Sequence, residues 1–242
     1  MNKELELKKQ NELANVESFG IADNIESSDL TIPFINIGQG ISDAVKKGLV
    51  KYGELYDSIT NEVLASVNEK LEVIFIKMDK ALFVTSGEKG NKFERIEPFT
   101  RDYLYNEEIN GVKYQRSLVY RYFCILAKDI KEGSPFPFAI SLMKSNIGTA
   151  KKLNTIFSRM KIAKKSSFNY IFDVSVKEEG SGNGTYNAFD IKQGRITTEE
   201  EAKVAIELHQ FMNNANVKLD EGVETIEPSK PKNDNDPDDV MF

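Results

Sequence analysis

The chain has 242 residues, a mass of 27.4 kDa and 40% hydrophobic residues, which is enough for one substantial domain with a real core. A single histidine and a single cysteine exclude histidine-dependent catalytic triads, zincin motifs, thiolate zinc clusters and internal disulfides. The apolar runs fall far short of the ~18 residues of a membrane span, and the Lys- and Glu-rich start is unlike a secretory signal. We therefore expect a cytoplasmic protein with no membrane partner.

The net charge of −6 is unevenly distributed along the chain. Residues 220–242 carry eight acids and two lysines, a net −6, and residues 1–29 carry seven acids and three lysines, a net −4. The segment between them, 30–219, is therefore +4. The sequence pI of about 5.1 describes the ends of the chain, and it does not exclude a polyanionic ligand.

The chain divides into three parts by composition. Residues 1–29 predict an acidic N-terminal arm, partly disordered, and residues 217–242 a disordered acidic C-terminal tail. Between them, residues 30–216 should form one domain, since no second core is evident.

The elements of this domain follow from apolar periodicity and turn signals. Pro33 suggests that the first strand lies at an edge, and residues 87–111 form a long connection or hairpin insertion. Thr198 and Glu201 form a capping box that starts the last helix. Strands are predicted at 30–37, 71–78, 117–127, 138–143, 168–176 and 185–191, with 82–85 extending the second across a turn. Helices are predicted from residue 41 to Gly48 or Gly53, at 146–163 and at 199–213.

The predicted strand at 117–127 separates two sets of side chains by its alternation. One face carries Leu118, Tyr120, Tyr122, Cys124 and Leu126, and the other carries Val119, Arg121, Phe123 and Ile125. Several short strands without regular βαβ alternation favour an antiparallel or mixed β barrel with flanking helices over a doubly wound sheet. Cys124 should be a buried, inert thiol, and His209 a packed structural side chain rather than a ligand or base.

The window 141–172 contains no Asp or Glu but seven basic residues, although 29% of the chain is charged. At 100° per residue, the predicted helix gathers an apolar face, and it turns a positive face outward. The apolar face carries Ala150, Leu153, Ile156, Phe157, Met160 and Ala163, and the opposite face carries Lys151, Lys152, Thr155, Ser158 and Arg159. The basic residues of the window are Lys144, Lys151, Lys152, Arg159, Lys161, Lys164 and Lys165.

Aromatic residues follow this helix directly. Phe168, Tyr170 and Phe172 alternate on one side of a predicted strand close to Lys164 and Lys165. Cations that follow phosphates, beside aromatics that stack on unpaired bases, are typical of single-stranded nucleic-acid binding. Taken singly, a lysine-rich helix face is usually only solvated and alternating aromatics are usually core, and it is their adjacency without a compensating acid that favours binding. Tyr122 is a weaker second candidate for stacking.

Other motifs predict no chemistry. The stretch 180–184 (GSGNG) lacks the Gly-Lys-Ser/Thr that opens a helix in a P-loop, and we expect a hairpin tip. Glu94 with Glu97, and Asp102 with Glu107 and Glu108, have no metal-ligand spacing and lie among arginines, so a salt-bridged surface is favoured over a metal site. We therefore expect no catalytic residues, no metal and no cofactor.

The tail ends on four aspartates and three apolar residues, Val-Met-Phe. A solubilising tail explains the aspartates but not the apolar ending. A terminal Phe behind a run of Asp suits an apolar pocket ringed by cations on another protein, and it can also compete with a polyanion for the chain's own basic surface. The residues concerned are Asp234, Asp236, Asp238, Asp239 and Phe242.

This tail resembles the acidic, aromatic-terminated tail of bacterial single-stranded DNA-binding proteins and their bacteriophage counterparts. The segment 135–144 (PFPFAISLMK), which leads into the basic helix, is also similar to phage replication proteins of this kind. In the bacterial family a proline directly precedes the final Phe, whereas here the residue is Met241, with Pro237 further back. The resemblance implies a mainly β fold with flanking helices, built as a single OB-like, five-stranded, partly open barrel with insertions. It also implies a tail that recruits replication proteins such as a polymerase, a helicase or primase, or a recombinase.

The combined expectation is a non-enzymatic phage protein that binds single-stranded DNA with little sequence dependence during replication, recombination or repair in the host cytoplasm. Its predicted DNA contacts come from Lys144, Lys151, Lys152, Arg159, Lys161, Lys164, Lys165, Phe168, Tyr170 and Tyr122. Whether it self-associates is left open by the sequence. The alternative is a structural or cargo protein of a virion or other assembly whose lysine-rich face is a protein interface, and a metal-dependent nuclease is the remaining, poorly supported enzyme option.

Overall fold

The computed structural model describes residues 31–87, 92–181, 184–214 and 218–219. The predicted N-terminal arm and all five tail residues singled out above lie outside the described residues. The strands are β1 (Thr31–Ile32), β2 (Ile35–Ile37), β3 (Leu55–Asp57), β4 (Val63–Ala65), β5 (Leu71–Ser86), β6 (Lys92–Pro98), β7 (Asn106–Ile109), β8 (Val112–Leu126), β9 (Pro137–Met143), β10 (Tyr170–Ser181), β11 (Gly184–Ile196) and β12 (Lys218–Leu219). The α-helices are α1 (Asp43–Lys46), α2 (Ala127–Lys131), α3 (Ile147–Ile162) and α4 (Glu199–Asn214), and 3₁₀ turns occupy Lys144–Asn146 and Ser167–Asn169.

A seven-stranded antiparallel sheet forms the centre of the fold. Its two long middle strands, β5 and β8, pair from Val73 and Leu126 at one end to Ser86 and Tyr114 at the other. The first end is flanked by β10, β11 and β9, and the second by β6 and β7. The range 87–111, predicted as a long connection or hairpin insertion, therefore contributes two strands, β6 and β7, to this sheet.

Alternating side chains give the sheet two apolar faces, as the pattern of 117–127 predicts. Tyr122, Cys124 and Leu126 belong to one buried cluster, which α3 and the small sheet β2–β3–β4 cover. Phe123 and Ile125 belong to a second cluster, which α4 covers. The architecture is therefore a β sheet between two layers, with α3 on one side and α4 on the other.

The first described residues pass around the β9 edge of this sheet. Ile32 packs in the α4-side cluster and Ile35 in the α3-side cluster, while the Pro33 carbonyl accepts a hydrogen bond of 2.9 Å from the Ala139 N–H. The edge position that Pro33 suggests is thus observed. β1 also pairs in parallel with β12, so two residues of the range predicted as tail, Lys218 and Leu219, form a strand.

The observed fold is mainly β with flanking helices, as predicted. The described strands form three sheets that are not closed into a barrel, because β2, β3 and β4 pair with one another rather than with the ends of the main sheet. Within the described ranges, no helix is both long and apolar enough to cross a membrane. The capping box at α4 is confirmed: the Glu201 N–H donates to Thr198 Oγ1 (3.2 Å), and the Thr198 N–H donates to Glu201 Oε2 (2.8 Å).

Cys124 and His209, the single cysteine and the single histidine of the chain, both have structural roles. Cys124 is fully buried, and this burial raises the pKa of its thiol. His209 lies with Nδ1 2.6 Å from the Ile76 carbonyl oxygen and Nε2 2.9 Å from Asn213 Nδ2. The Nδ1–H donates to the carbonyl oxygen and Nε2 contacts the Asn213 amide, so both ring nitrogens have hydrogen-bond partners. Ile76 is the extra residue of a bulge between β5 and β8, which frees its carbonyl for this bond.

Candidate nucleic-acid interface

Helix α3 presents the two faces that its sequence predicts. Ala150, Leu153 and Met160 are buried against the sheet, and Ile156 and Phe157 are partly buried beside them. On the outer face, Lys151, Lys152, Thr155, Ser158 and Arg159 are all exposed. Ala163 is also exposed, because α3 ends at Ile162.

The helix is fastened at several points to the strands beneath it. The Asn146 Oδ1 accepts from the Phe189 N–H (2.9 Å), and the Thr149 hydroxyl donates to the Phe189 carbonyl (3.0 Å). The Tyr122 hydroxyl donates to Asn154 Oδ1 (2.8 Å), and burial raises the pKa of this tyrosine. A surface held in this way needs little ordering before it binds a ligand.

All seven cations of the window 141–172 are exposed. None of them forms an ion pair among the described residues, whereas more than half of the other lysines and arginines with described side chains do. On the sheet, the pKa of Glu179 is lowered mainly by a hydrogen bond from Lys177 and less by the charge of Lys152. The outer face of α3 is therefore a positively charged surface without ion pairs among the described residues, and we call it the basic face.

Both ends of the basic face have lysines in left-handed backbone conformations. Lys144 has φ +47° in the 3₁₀ turn before α3, and Lys164 has φ +54° just after it. Side chains are disfavoured in this region, where glycine is the usual residue. The chain therefore carries a lysine, and not a glycine, in a left-handed conformation at each end of the basic face.

The predicted aromatic row is only partly formed. β10 begins at Tyr170, so Phe168 lies in the preceding 3₁₀ turn, and its ring packs 5.3 Å from that of His209 in the α4-side cluster. Phe172 is fully buried on the α3 side. The prediction that Phe168, Tyr170 and Phe172 share one strand face is therefore wrong for Phe168.

Tyr122 has no exposed surface, and its ring lies in the core under α3. It cannot stack on a base in this conformation, and its role is to hold the helix. Tyr170 is different, because it is half-buried and lines a small cavity of about 330 Å³ together with Lys165 and Ile196. The structure thus brings one predicted aromatic and one predicted cation together at the end of α3.

A larger cleft, of about 970 Å³, opens at the other end of the basic face. Lys144 lies in its wall, and the remaining lining comes from β2, the segment 39–56, β9 and β11. The exposed ring of Tyr52 and the half-buried ring of Tyr186 line it. No sequence motif points to this cleft, because its lining residues lie up to ~150 positions apart in the chain.

Two other motifs form the structures that the sequence predicts. Gly180 pairs with Thr185 and Ser181 with Gly184, so the glycine-rich stretch turns a hairpin between β10 and β11. Arg116 pairs with Glu97 (2.8 Å) and Glu107 (2.6 Å), which is a salt-bridged surface. Within the described residues, no group of three or more His, Cys, Asp or Glu side chains is arranged to hold a metal ion.

The chain was compared with known families, curated proteins and solved structures. The family model of the Pam3 phage gp34-like protein matches residues 8–218. No curated protein and no solved structure matches the chain significantly.

Proposed function

Because the chain belongs to the Pam3 phage gp34-like family, we propose that it is a phage protein that binds single-stranded DNA through the basic face of α3. The observation that carries the proposal is the set of seven exposed cations that have no carboxylate partner among the described residues. Phosphates can therefore bind these cations without first breaking an ion pair between a cation and a carboxylate. Binding is expected to be largely independent of sequence, since phosphate contacts carry no base information.

The aromatic contribution to this proposal comes from Tyr170 rather than from Tyr122. Tyr170 lines a cavity that also contains Lys165 and Glu199, so a base entering it on the Lys165 side would place the adjoining phosphate near that cation. Stacking on such a ring contributes roughly 1–3 kcal/mol per base. Phe168, held against His209, supports the turn that precedes Tyr170.

The finer fold assignment belongs to the same proposal. What supports an OB-like core is the antiparallel sheet with α3 packed across one face, and we propose that the open arrangement of the described strands is an elaborated form of that barrel. We also propose that the tail residues named above recruit replication proteins in the host cytoplasm. Their sequence supports this, and they lie outside the described residues.

The test is fluorescence anisotropy of a labelled dT oligonucleotide titrated with the full chain at several salt concentrations. If four to six cations meet phosphates, the slope of log K against log salt should be roughly −3 to −4. Absence of binding up to about 100 μM at low salt would refute the proposal, because even non-specific binding is usually tighter.

A pair of triple variants tests the location. Changing three outer-face residues of α3 to glutamine should weaken binding and reduce the magnitude of the salt slope by about 2: Lys151→Gln, Lys152→Gln and Arg159→Gln. The matched control removes three exposed lysines that form no ion pair among the described residues and lie away from α3: Lys113→Gln, Lys128→Gln and Lys131→Gln. Equal losses in both variants would place the DNA elsewhere, and nuclease-resistant assembly of the wild-type chain without DNA would favour a virion component.

A further inference from the structure

The cleft at the start of α3 has the size of a small-molecule site, at about 970 Å³. Among the residues that line it, Lys144 carries the only charge, and the rest are amides, hydroxyls, aromatics and aliphatics. A ligand that fits this lining has one anionic group at the rim and a neutral, flat, polar-edged part inside. A nucleotide has this distribution, whereas a multiply charged metabolite does not.

An unpaired polar atom lies enclosed behind the cleft wall. Asn187 is 5% exposed, and its Nδ2 has no hydrogen-bond partner among the described residues. A buried donor left unpaired is rare in native proteins, because it has lost its water without replacement. A Cβ on Gly53 would come 3.3 Å from this nitrogen, so the glycine leaves room for the amide.

Gln39 supplies an acceptor to the same wall. Its Nε2 donates to the Asn187 carbonyl oxygen (2.7 Å), which holds the side chain and leaves Oε1 without a partner among the described residues. The wall therefore offers the Gln39 carbonyl oxygen as an acceptor, whereas the Asn187 amide nitrogen is enclosed on the side of Gly53 and does not reach the cleft. Nucleobase edges present donors and acceptors side by side, and Asn and Gln are the side chains that pair with them, whereas a phosphate presents acceptors only.

Two tyrosine rings, Tyr52 and Tyr186, line the cleft. Tyr52 is 45% exposed, and it follows the segment that contains Gln39. On β11, the Tyr186 hydroxyl donates to Glu179 (3.0 Å), which holds that second ring in place. Lys144 stands at the rim in its left-handed conformation and leads directly into α3.

We propose that this cleft takes up one unpaired nucleobase of the bound strand. The base stacks on Tyr52, an N–H on its edge donates to Gln39 Oε1, and the adjoining phosphate lies near Lys144. The inference rests on the proposed function, and it adds a base-binding subsite to a surface that otherwise contacts phosphates. The strand then continues from Lys144 along the basic face, which is about 24 Å long for a helix of 16 residues.

The absence of tryptophan from the chain allows a direct test. Tyr52→Trp places a single indole at the cleft, and stacking of a base should quench its emission when a dT oligonucleotide of about 15 nucleotides is added. An oligonucleotide of the same length without bases should not quench it. Tyr105→Trp is the control, because Tyr105 is 54% exposed on the segment between β6 and β7 and does not line the cleft.

Affinity gives an independent measurement in the anisotropy assay. Tyr52→Ala should weaken binding about 5- to 150-fold, which is the loss of one stacked base, while Tyr52→Phe and Tyr105→Ala should bind as the wild type does. Unquenched emission of the Tyr52→Trp variant, together with unchanged affinity of Tyr52→Ala, would overturn the inference and leave the proposed function intact. Failure of the wild type to bind the oligonucleotide at low salt would overturn both.

Discussion

Replacing Lys164 with glycine should stabilise the protein and weaken its binding to single-stranded DNA. Lys164 has φ +54°, and its N–H donates to the Lys161 carbonyl (3.1 Å) while the Lys165 N–H donates to that of Met160 (2.9 Å). These two bonds form a Schellman motif, whose left-handed position is normally glycine. A Cβ at this position costs roughly 1–2 kcal/mol.

The net gain is smaller than this cost. Glycine also increases the conformational entropy of the unfolded chain, which offsets about 0.4–1 kcal/mol. We expect a stabilisation of about 0.5–1 kcal/mol and a rise in Tm of roughly 1–4 °C for a domain of this size. The loss of one phosphate contact should reduce the magnitude of the salt slope by about 0.7.

Thermal denaturation followed by circular dichroism measures the first effect, and anisotropy against salt concentration measures the second. Lys164→Ala is the matched control, because it removes the same charge but keeps the Cβ in the left-handed region. It should lose the same DNA affinity without gaining stability. A lower Tm for Lys164→Gly would refute the strain argument, and an unchanged salt slope would remove Lys164 from the interface.

Two further predictions concern the loss of folding stability at acidic pH and the role of the tail. Arg195 donates to both Glu201 carboxylate oxygens (2.7 and 2.8 Å), and this pair, with the Thr198 N–H, lowers the pKa of Glu201 to about 2. The ordinary pKa of a glutamate is 4.5, so the ionised carboxylate stabilises the fold fully above about that pH. This contribution of about 3 kcal/mol to the free energy of unfolding is lost as the pH falls toward 2. Glu201→Gln should be less stable at pH 7 and show a flatter loss between pH 5 and 2 in urea titrations, whereas parallel curves for the two proteins would contradict this. Deletion of residues 234–242 should leave DNA affinity unchanged or raise it, because it removes an anionic competitor, and weaker binding after the deletion would count against that role.

Local periodicity predicts those parts of the fold that local physics decides. The two faces of α3 follow from the 100° rotation per residue, and the capping box at Thr198 follows from a spacing of three. The opposite burial of Cys124 and Ile125 follows from the alternation of a strand that is covered on both faces. In these cases the pattern that selects the element also selects the side that is buried.

Features made by distant segments do not follow from such patterns. The cleft joins Asn36, Lys144 and Asn187, and nothing in the short-range sequence signals that these positions meet. Phe168 fits the alternation of a strand, yet Ser166 accepts from its N–H through Oγ (3.2 Å) and a 3₁₀ turn forms instead. Tyr122 has a polar tip that fits a surface position, but Asn154 of α3 satisfies its hydroxyl in the core.

The parallel pair of β1 and β12 fixes where the tail leaves the body. Ile32 of β1 packs in the α4-side cluster, so the pair lies on the side of the sheet away from α3. If the basic face binds a strand of DNA as proposed, residue 219 lies on the opposite side of the sheet from that strand. A row of these proteins along one strand would then carry its tail attachment points on the outside, as a repeating display that a second protein can reach without displacing the DNA.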